Sequence, residues 1–465
     1  FVSLLIGLLI VGSLVRTVSA QSDVDLWLAF GPETEGDVPE VELVSASSDT
    51  IEIQALLPGA SFGETTIAGQ NYLTLSGEGY TYSDLEGAPA LPVLRKMIEV
   101  PLGAEVNLEL LDAKTQTVSL TGLGLMGTIA PIQPSQPKCG DPIEPCSPSA
   151  LIYGGGYYPT EQLAISDDYI IRGHRIVVVE IRPVRYNAVL AELETTSELT
   201  FRLNLTGSDM ELTVSEADRL NSASFNNMLQ SSVLNYNQGR PVAIPNTAER
   251  YLIITADMFQ SGLADYVSLK ESQGFSVSVV NLTTVGANTT TAIKNYIKSQ
   301  YQGANPPDYV LLVGDYISGD PVGSLTNYTM RTASSYRTDL QYFTMDNETE
   351  YVPDIFYGRF PVRTAANLSA MIDKYEAYAE LSGDEAWVKK IEYLASNDSG
   401  YYQVAERTHE YVIDNYTLPL GYTGIFPNNP QAGGDKVYAI TYGGTGANAV
   451  TSMNDNRVML VYSGH

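Results

Sequence analysis

An all-β domain followed by an α/β domain is the architecture this sequence predicts, and two observations carry the prediction. From about residue 50 to 206 the apolar residues come in short runs rich in Val, Ile, Thr and Tyr. They often alternate with polar residues, and Gly, Pro and Asp separate the runs, which is the spacing of a β-sandwich. After Arg250 strand-like runs alternate with helix-like ones, the order of a parallel sheet flanked by helices. A length of 465 residues suits two domains, and 44% hydrophobic content supplies their cores.

The chain starts with "FVSLLIGLLIVGSLVRTVSA". An apolar run from Phe1 to Val15 precedes small residues, and Val18-Ser19-Ala20 before Gln21 suits signal cleavage. The run falls short of the roughly 20 residues that span a bilayer comfortably. Residues 1–20 therefore read as a secretory signal peptide that lacks its initiator Met and basic leading segment. No later run is long and apolar enough to cross a membrane. Residues 21–45 are polar and acidic and read as a flexible lead.

The β-rich region then runs through "DTIEIQALL", "NYLTLSG", "RKMIEVPL", "EVNLELLDA", "YIIRGHRIVVVEIRPVRYN" and "SELTFRLNL". The two cysteines, Cys139 and Cys146, fall in the Pro-rich "PKCGDPIEPCSP". No histidine is near for a metal, so in an exported chain a small looping disulfide is the simpler reading. Residues 207–249 are polar, with a short helix expected around "SFNNMLQSSVLNY", and form the linker.

Past Arg250 come the strand "RYLIITA", the helix "DMFQSGLADYVSLKESQG", the strand "FSVSVVNL", the helix "TTTAIKNYIKSQYQ" and the strand "DYVLLVGD". Then follow the strand "PDIFYGRFP", the helix "TAANLSAMIDKYEAYAEL", the strand "KKIEYLASND", the helix "YQVAERTHEYVIDNY" and the strand "RVMLVYSGH". The expected division is 1–20 signal, 21–249 lead, β-rich domain and linker, and 250–465 α/β domain.

A net charge of −28 with 26 Lys and Arg argues against nucleic acid or an anionic membrane as partner. Chemistry in a parallel sheet sits beyond the carboxyl ends of its strands. Asp315, Asp398 and His465 each follow such a strand. Of the three histidines, His174 reads as a surface or packing residue in a β-run. His409 opens a His-Glu pair mid-helix, but residue 413 is Ile, so the two-histidine zinc helix is incomplete. His465 follows Gly464, which lets the backbone turn sharply and leaves the imidazole exposed. A general base needs an orienting group and a nucleophile. Asp398 could orient the imidazole, or it could be a helix N-cap or turn residue. Ser463, two residues before the base on one strand, is a poor nucleophile.

The ordered set "YVLLVGD" (309–315), "PDIFYGRFPV" (353–362) with the following "IDKYEAY", "LASND" and the final "VYSGH" resembles the gingipain-type cysteine peptidases. "GAPALPVLRKMIEVPLGAEV" (87–106) resembles that family's propeptide. The resemblance implies a caspase-like catalytic fold, a sandwich-like prodomain packed on it, and peptide-bond hydrolysis by a Cys–His pair without a catalytic cofactor. His465 matches the catalytic histidine, with Asp398 as its acidic neighbour and a backbone N–H near Gly464 in the oxyanion hole. The family's nucleophilic cysteine lies on the next strand, so the chain is expected to be a fragment cut between base and nucleophile, inactive by itself. Glu406 sits roughly where the family selects Arg or Lys, or it is an exposed helix carboxylate. The family binds calcium, for which "TMDNETE" (344–350) could supply oxygens or be a solvated loop. A sortase-like transpeptidase and a non-catalytic surface-binding scaffold are the rival readings. Activation is expected by cleavage within 236–250, where Arg240 precedes Pro241 and Arg250 abuts a strand, with Arg250 preferred if the enzyme is Arg-specific through Glu406.

Overall fold

The computed structural model describes residues 26–32, 35–135, 143–236, 248–316, 323–330, 336–347, 349–398 and 400–464. The apolar run 1–20, Cys139 and His465 lie outside them. By compactness the chain divides into a unit of residues 19–134 and 145–376 and another built from Ala377 onward.

In chain order the strands of the β-rich part are β1 (Leu26–Ala29), β2 (Glu40–Ala46), β3 (Thr50–Leu56), β4 (Gly59–Ile67), β5 (Gln70–Ser76), β6 (Thr81–Tyr82), β7 (Pro92–Val100), β8 (Glu105–Ser119), β9 (Leu163–Ile171), β10 (His174–Ile181), β11 (Val184–Asn187) and β12 (Glu192–Thr206). They pair in the orders β1-β4-β5, β6-β7-β10-β9 and β11-β12-β3-β2, with β8 added along β12. Period two decides what goes inside. Along β12 Leu199, Phe201, Leu203 and Leu205 point inward, while Thr200, Arg202 and Asn204 point out. The inward set joins Ile53, Phe62, Leu75, Ile98 and Val177 in one core. Outside, Arg202 meets Glu52 and Glu109 from the flanking strands.

The flexible lead expected over 21–45 is corrected by β1 and β2. Leu28 and Phe30 are buried, and Val41 and Leu43 pack on the core. An acidic composition hid an alternating apolar pattern there. His174 is a packing residue: it is buried, with Nδ1 2.8 Å from Glu99 Oε1. A short helix α1 (Ala150–Tyr153) precedes β9, and two helices follow β12, α2 (Met210–Arg219) and α3 (Ala223–Ser232), where one was expected. Asp209 caps α2 by accepting the Leu212 N–H, and Ser222 caps α3 by accepting that of Phe225.

The α/β part continues with β13 (Arg250–Thr255), α4 (Ala264–Ser272), β14 (Ser276–Asn281), α5 (Leu282–Val285), α6 (Thr290–Tyr301), β15 (Tyr309–Val313), the two-residue strands β16 (Tyr328–Thr329) and β17 (Arg337–Thr338), β18 (Phe356–Phe360) and α7 (Ala365–Ala379). The helix expected from 257 begins as a 3-10 turn, Asp257–Leu263, before α4. The sheet is parallel, in the order β14-β13-β15-β18. Its central strands β13 and β15 are mostly apolar on both faces because both are covered, whereas the edge strand β14 exposes Ser276 and Ser278. Leu252, Ile254, Val310 and Leu312 face α6 through Ile293 and Ile297. Ile253, Leu311 and Val313 face Phe259, Leu263, Leu368 and Ile372.

The unit from Ala377 onward has its own sheet. It contains β19 (Ile391–Ala395), α8 (Tyr402–Val412), β20 (Thr423–Gly424), β21 (Gln431–Ala432), β22 (Asp435–Tyr438), α9 (Gly446–Asn454) and β23 (Met459–Ser463). The order β22-β19-β23 is again parallel. The strands read in sequence as one series thus form two sheets among the described residues, each with its own apolar cluster. No helix of the described residues is long and apolar enough to cross a membrane.

Candidate active site

The carboxyl ends of β19 and β23 lie side by side, with Ala395 in register with Ser463. The link continues one residue further, where the Ser396 N–H donates to the Ser463 carbonyl at 3.0 Å. Gly464 follows in a gap no side chain fits. A Cβ there would stand 2.5 Å from the Tyr462 hydroxyl and 2.6 Å from Ser396 Cβ. Gly464→Ala should therefore push the two strand ends apart. We expect a stability loss of about 1–3 kcal/mol, typical of overpacking, read as a lowered melting temperature. Unchanged melting would show that the close approach is not needed.

Asp398 lies three residues beyond β19 and turns the chain into α8. Its carbonyl accepts the N–H groups of Tyr401 and Tyr402 at 3.1 and 2.8 Å. Its Oδ1 accepts the Gly400 N–H at 3.1 Å. These are the contacts of the turn reading. The orienting role toward His465 concerns a residue outside the described set.

On α8 and the helical turn Ile413–Thr417 that extends it, Glu406, His409 and Ile413 recur at helical spacing and are buried. Glu406 is therefore not an exposed helix carboxylate. It is 8% exposed, and it accepts the Thr441 N–H at 3.3 Å together with the Thr441 hydroxyl. A carboxylate has about four acceptor positions, so this tether leaves lone pairs for a further donor.

Sequence reading missed the contact of His409. Its Nε2 lies 2.9 Å from the Ser463 hydroxyl, and its ring sits between Tyr393 and Tyr438 at 5.3 and 5.8 Å. A serine beside a histidine can be a nucleophile–base pair, but this one is poorly built for it. The imidazole is 2% exposed, and its Nδ1 has no partner among the described residues to orient it. Burial also pushes its pKa down to about 4, so it stays neutral and weakly basic. The pair instead pins β23 two residues ahead of position 465. The signal was present in the helical stripe shared with Glu406 and Ile413.

Two family models divide the chain. One described as Peptidase family C25 matches residues 244–465, and one described as Propeptide_C25 matches residues 32–242. The chain belongs to the gingipain-type cysteine peptidase family. Gingipain R2 of Porphyromonas gingivalis is 24% identical over 452 residues, which cover 94% of this chain and 57% of that protein. Lys-gingipain of the same organism is 27% identical over 386 residues, 78% of this chain and 21% of that one. The chain thus spans little more than half of the first relative and about a fifth of the second.

Two solved structures of the gingipain type also match. The complex of Porphyromonas gingivalis RgpB pro- and mature domains shares 20% identity at a TM-score of 0.36 and covers 43% of this chain and 99% of its own. A structure addressing the zymogenic latency of gingipain K shares 22% at a TM-score of 0.34, covering 40% and 100%. Among the cysteines of this gingipain-type chain, Cys146 is half-buried in the β-rich part, where its N–H donates to Gln133 Oε1 at 2.9 Å. Its pairing with Cys139 lies outside the described residues.

Proposed function

We propose that the chain is the propeptide and the first part of the catalytic domain of a secreted cysteine endopeptidase zymogen. Residues 1–20 are its signal, 21–249 its lead, propeptide and linker, and 250–465 its catalytic part. The observation that carries this reading is the tiling of 32–242 and 244–465 by the propeptide and peptidase models. The substrates are proteins or peptides.

In this reading a cysteine supplied beyond residue 465 is the nucleophile. His465 takes the thiol proton, and the thiolate attacks the scissile carbonyl carbon. Backbone N–H groups near Gly464 hold the oxyanion. The imidazolium then protonates the leaving amine, and water hydrolyses the acyl thioester. Asp398 orients the imidazole. Glu406, held by Thr441, is the candidate selector of a basic side chain. The release cut falls within 236–250. Arg250 is poorly suited to it, because its N–H donates to Asp308 Oδ2 at 2.7 Å and its carbonyl accepts the Asp308 N–H at 2.9 Å. A protease needs free extended backbone, so the proposed bond lies ahead of Glu249.

Catalysis needs no cofactor. For the calcium that the resemblance implies, Asp346, Glu350 and Asp354 bring carboxylate oxygens within 4.8 Å of one another. Burial, and then the charge of its neighbours, pushes Asp346 and Asp354 above the usual carboxylate range. A cation would relieve that crowding, and these three residues would hold it. It would compensate charge there, outside the reaction.

Full-length protein carrying the downstream cysteine is expected to cleave peptides and to lose activity on thiol alkylation. His465→Ala should lower kcat by about 100-fold or more, the usual contribution of a general base. Cys139→Ser with Cys146→Ser should leave the rate unchanged, in keeping with a structural disulfide. Activity that survives alkylation or loss of His465 would overturn the mechanism.

A further inference from the structure

The tip of the β9–β10 hairpin is a two-residue turn, Arg172-Gly173, in which both residues have positive φ, 49° and 81°. Such turns favour Asn or Gly at the first position. An arginine there is strained, so its surroundings must hold it. Arg172 is 1% exposed. Its backbone N–H donates to Asp354 Oδ1 at 2.7 Å. Its Nε donates to the Leu220 carbonyl at 2.9 Å, and Nη1 to the carbonyls of Pro307 and Asp354 at 2.8 and 3.1 Å. Its Nη2 donates to Asp308 Oδ1. The rings of Phe225 and Tyr301 lie 5.0 and 5.8 Å from the guanidinium carbon.

The hairpin belongs to the β-rich part, whereas Pro307, Asp308 and Asp354 stand at the amino ends of β15 and β18. Around this plug an apolar collar crosses the same boundary. Ile171 and Ile176 pack with Phe225 and Leu229 of α3, which in turn meet Val352 and Phe356. None of these residues belongs to the candidate active site.

We propose that Arg172 is the anchor that retains the β-rich domain on the α/β domain after the connecting chain is cut, so that cleavage and release are separate events. The proposal rests on the propeptide reading above. The socket explains why arginine is needed. A planar fork satisfies a carboxylate and three carbonyls at once, which an ammonium cannot do. Without it the buried Asp308 carboxylate keeps only the more distant Arg250 guanidinium, at 3.7 Å, and the carbonyls of Leu220, Pro307 and Asp354 lose this donor.

The test needs no peptidase activity, so it separates this proposal from the catalytic reading. A recognition sequence for a specific protease is inserted between residues 236 and 248 of the full chain. The chain is cut, and dissociation of the two parts is followed by size exclusion and surface plasmon resonance. The unsubstituted parts should stay together. Arg172→Gln should speed dissociation by about 100-fold or more, the usual consequence of orphaning a buried ion pair. Arg172→Lys, which keeps the charge, should fall between and serves if the Gln variant does not fold. Arg175→Gln, on the same hairpin but paired with Asp168 inside the β-rich part, should change nothing. Separation of the unsubstituted parts on cutting, an unchanged rate in both Arg172 variants, or an equal effect of Arg175→Gln would overturn the proposal.

Discussion

Arg457→Gln is expected to lower the unfolding free energy of the unit built from Ala377 onward by about 3–5 kcal/mol, the loss seen when one partner of a buried ion pair is removed. The Arg457 side chain is 3% exposed and bonds Asp435 Oδ2 through Nε at 2.6 Å. Its Nη1 reaches the Asp455 carboxylate at 3.0 Å and the Asn456 carbonyl at 2.7 Å. Asp435 is fully buried, and its other oxygen accepts the N–H groups of Ile425 and Phe426. The guanidinium therefore neutralises a carboxylate that has no route to water. Denaturant titration of the variant, followed by near-ultraviolet dichroism, would measure the loss. A change under about 1 kcal/mol would place Asp435's compensation elsewhere.

Glu392→Gln should act in the opposite direction. Glu392 lies on the central strand β19, directly across from Asp435. It is fully buried, and neither carboxylate oxygen has a partner among the described residues. Burial, and then the Asp435 charge, raises its pKa from 4.5 to about 7, against the pull of Arg457. A folded value above the unfolded one means that its stability contribution is full below about pH 4.5 and is lost as pH rises through 7. The difference corresponds to about 3 kcal/mol at most above that range. Glutamine mimics the protonated acid, so the variant should be more stable than the parent at pH 8 and nearly equal to it at pH 4.5. Melting curves across that range would check it. Equal stability at pH 8 would mean that Glu392 finds compensation when charged.

Much of the fold was legible because backbone periodicity follows from side-chain placement. The runs at 250–256, 308–315 and 389–398 contain β13, β15 and β19, since a parallel strand covered on both faces must be apolar on both. The strands at 26–29 and 40–46 were not legible, because one is four residues long and the other carries acidic residues on its outer face. At the candidate site the strand-end positions of Asp398 and Gly464 could be read from the sequence. The partners of Glu406 and His409 could not. Both point inward on one helical stripe, but Thr441 and Ser463 reach them from other elements, 35 and 54 residues away along the chain.

By itself the sequence determined the β-rich then α/β order, the strand ends where Asp398 and Gly464 stand, and the motifs shared with the gingipain-type family. Only the tertiary structure decided that the parallel strands form two sheets, that Arg172 fills a socket built from Asp308 and Asp354, and that Arg457 lies against Asp435. The physical reason is that periodicity records which face of an element is buried and nothing about what it is buried against. A buried charge shows the difference most sharply. Glu392 and Asp435 differ little from neighbouring acidic residues in sequence. Only the register of β19 with β22 sets the two carboxylates opposite each other, with Arg457 held by one of them.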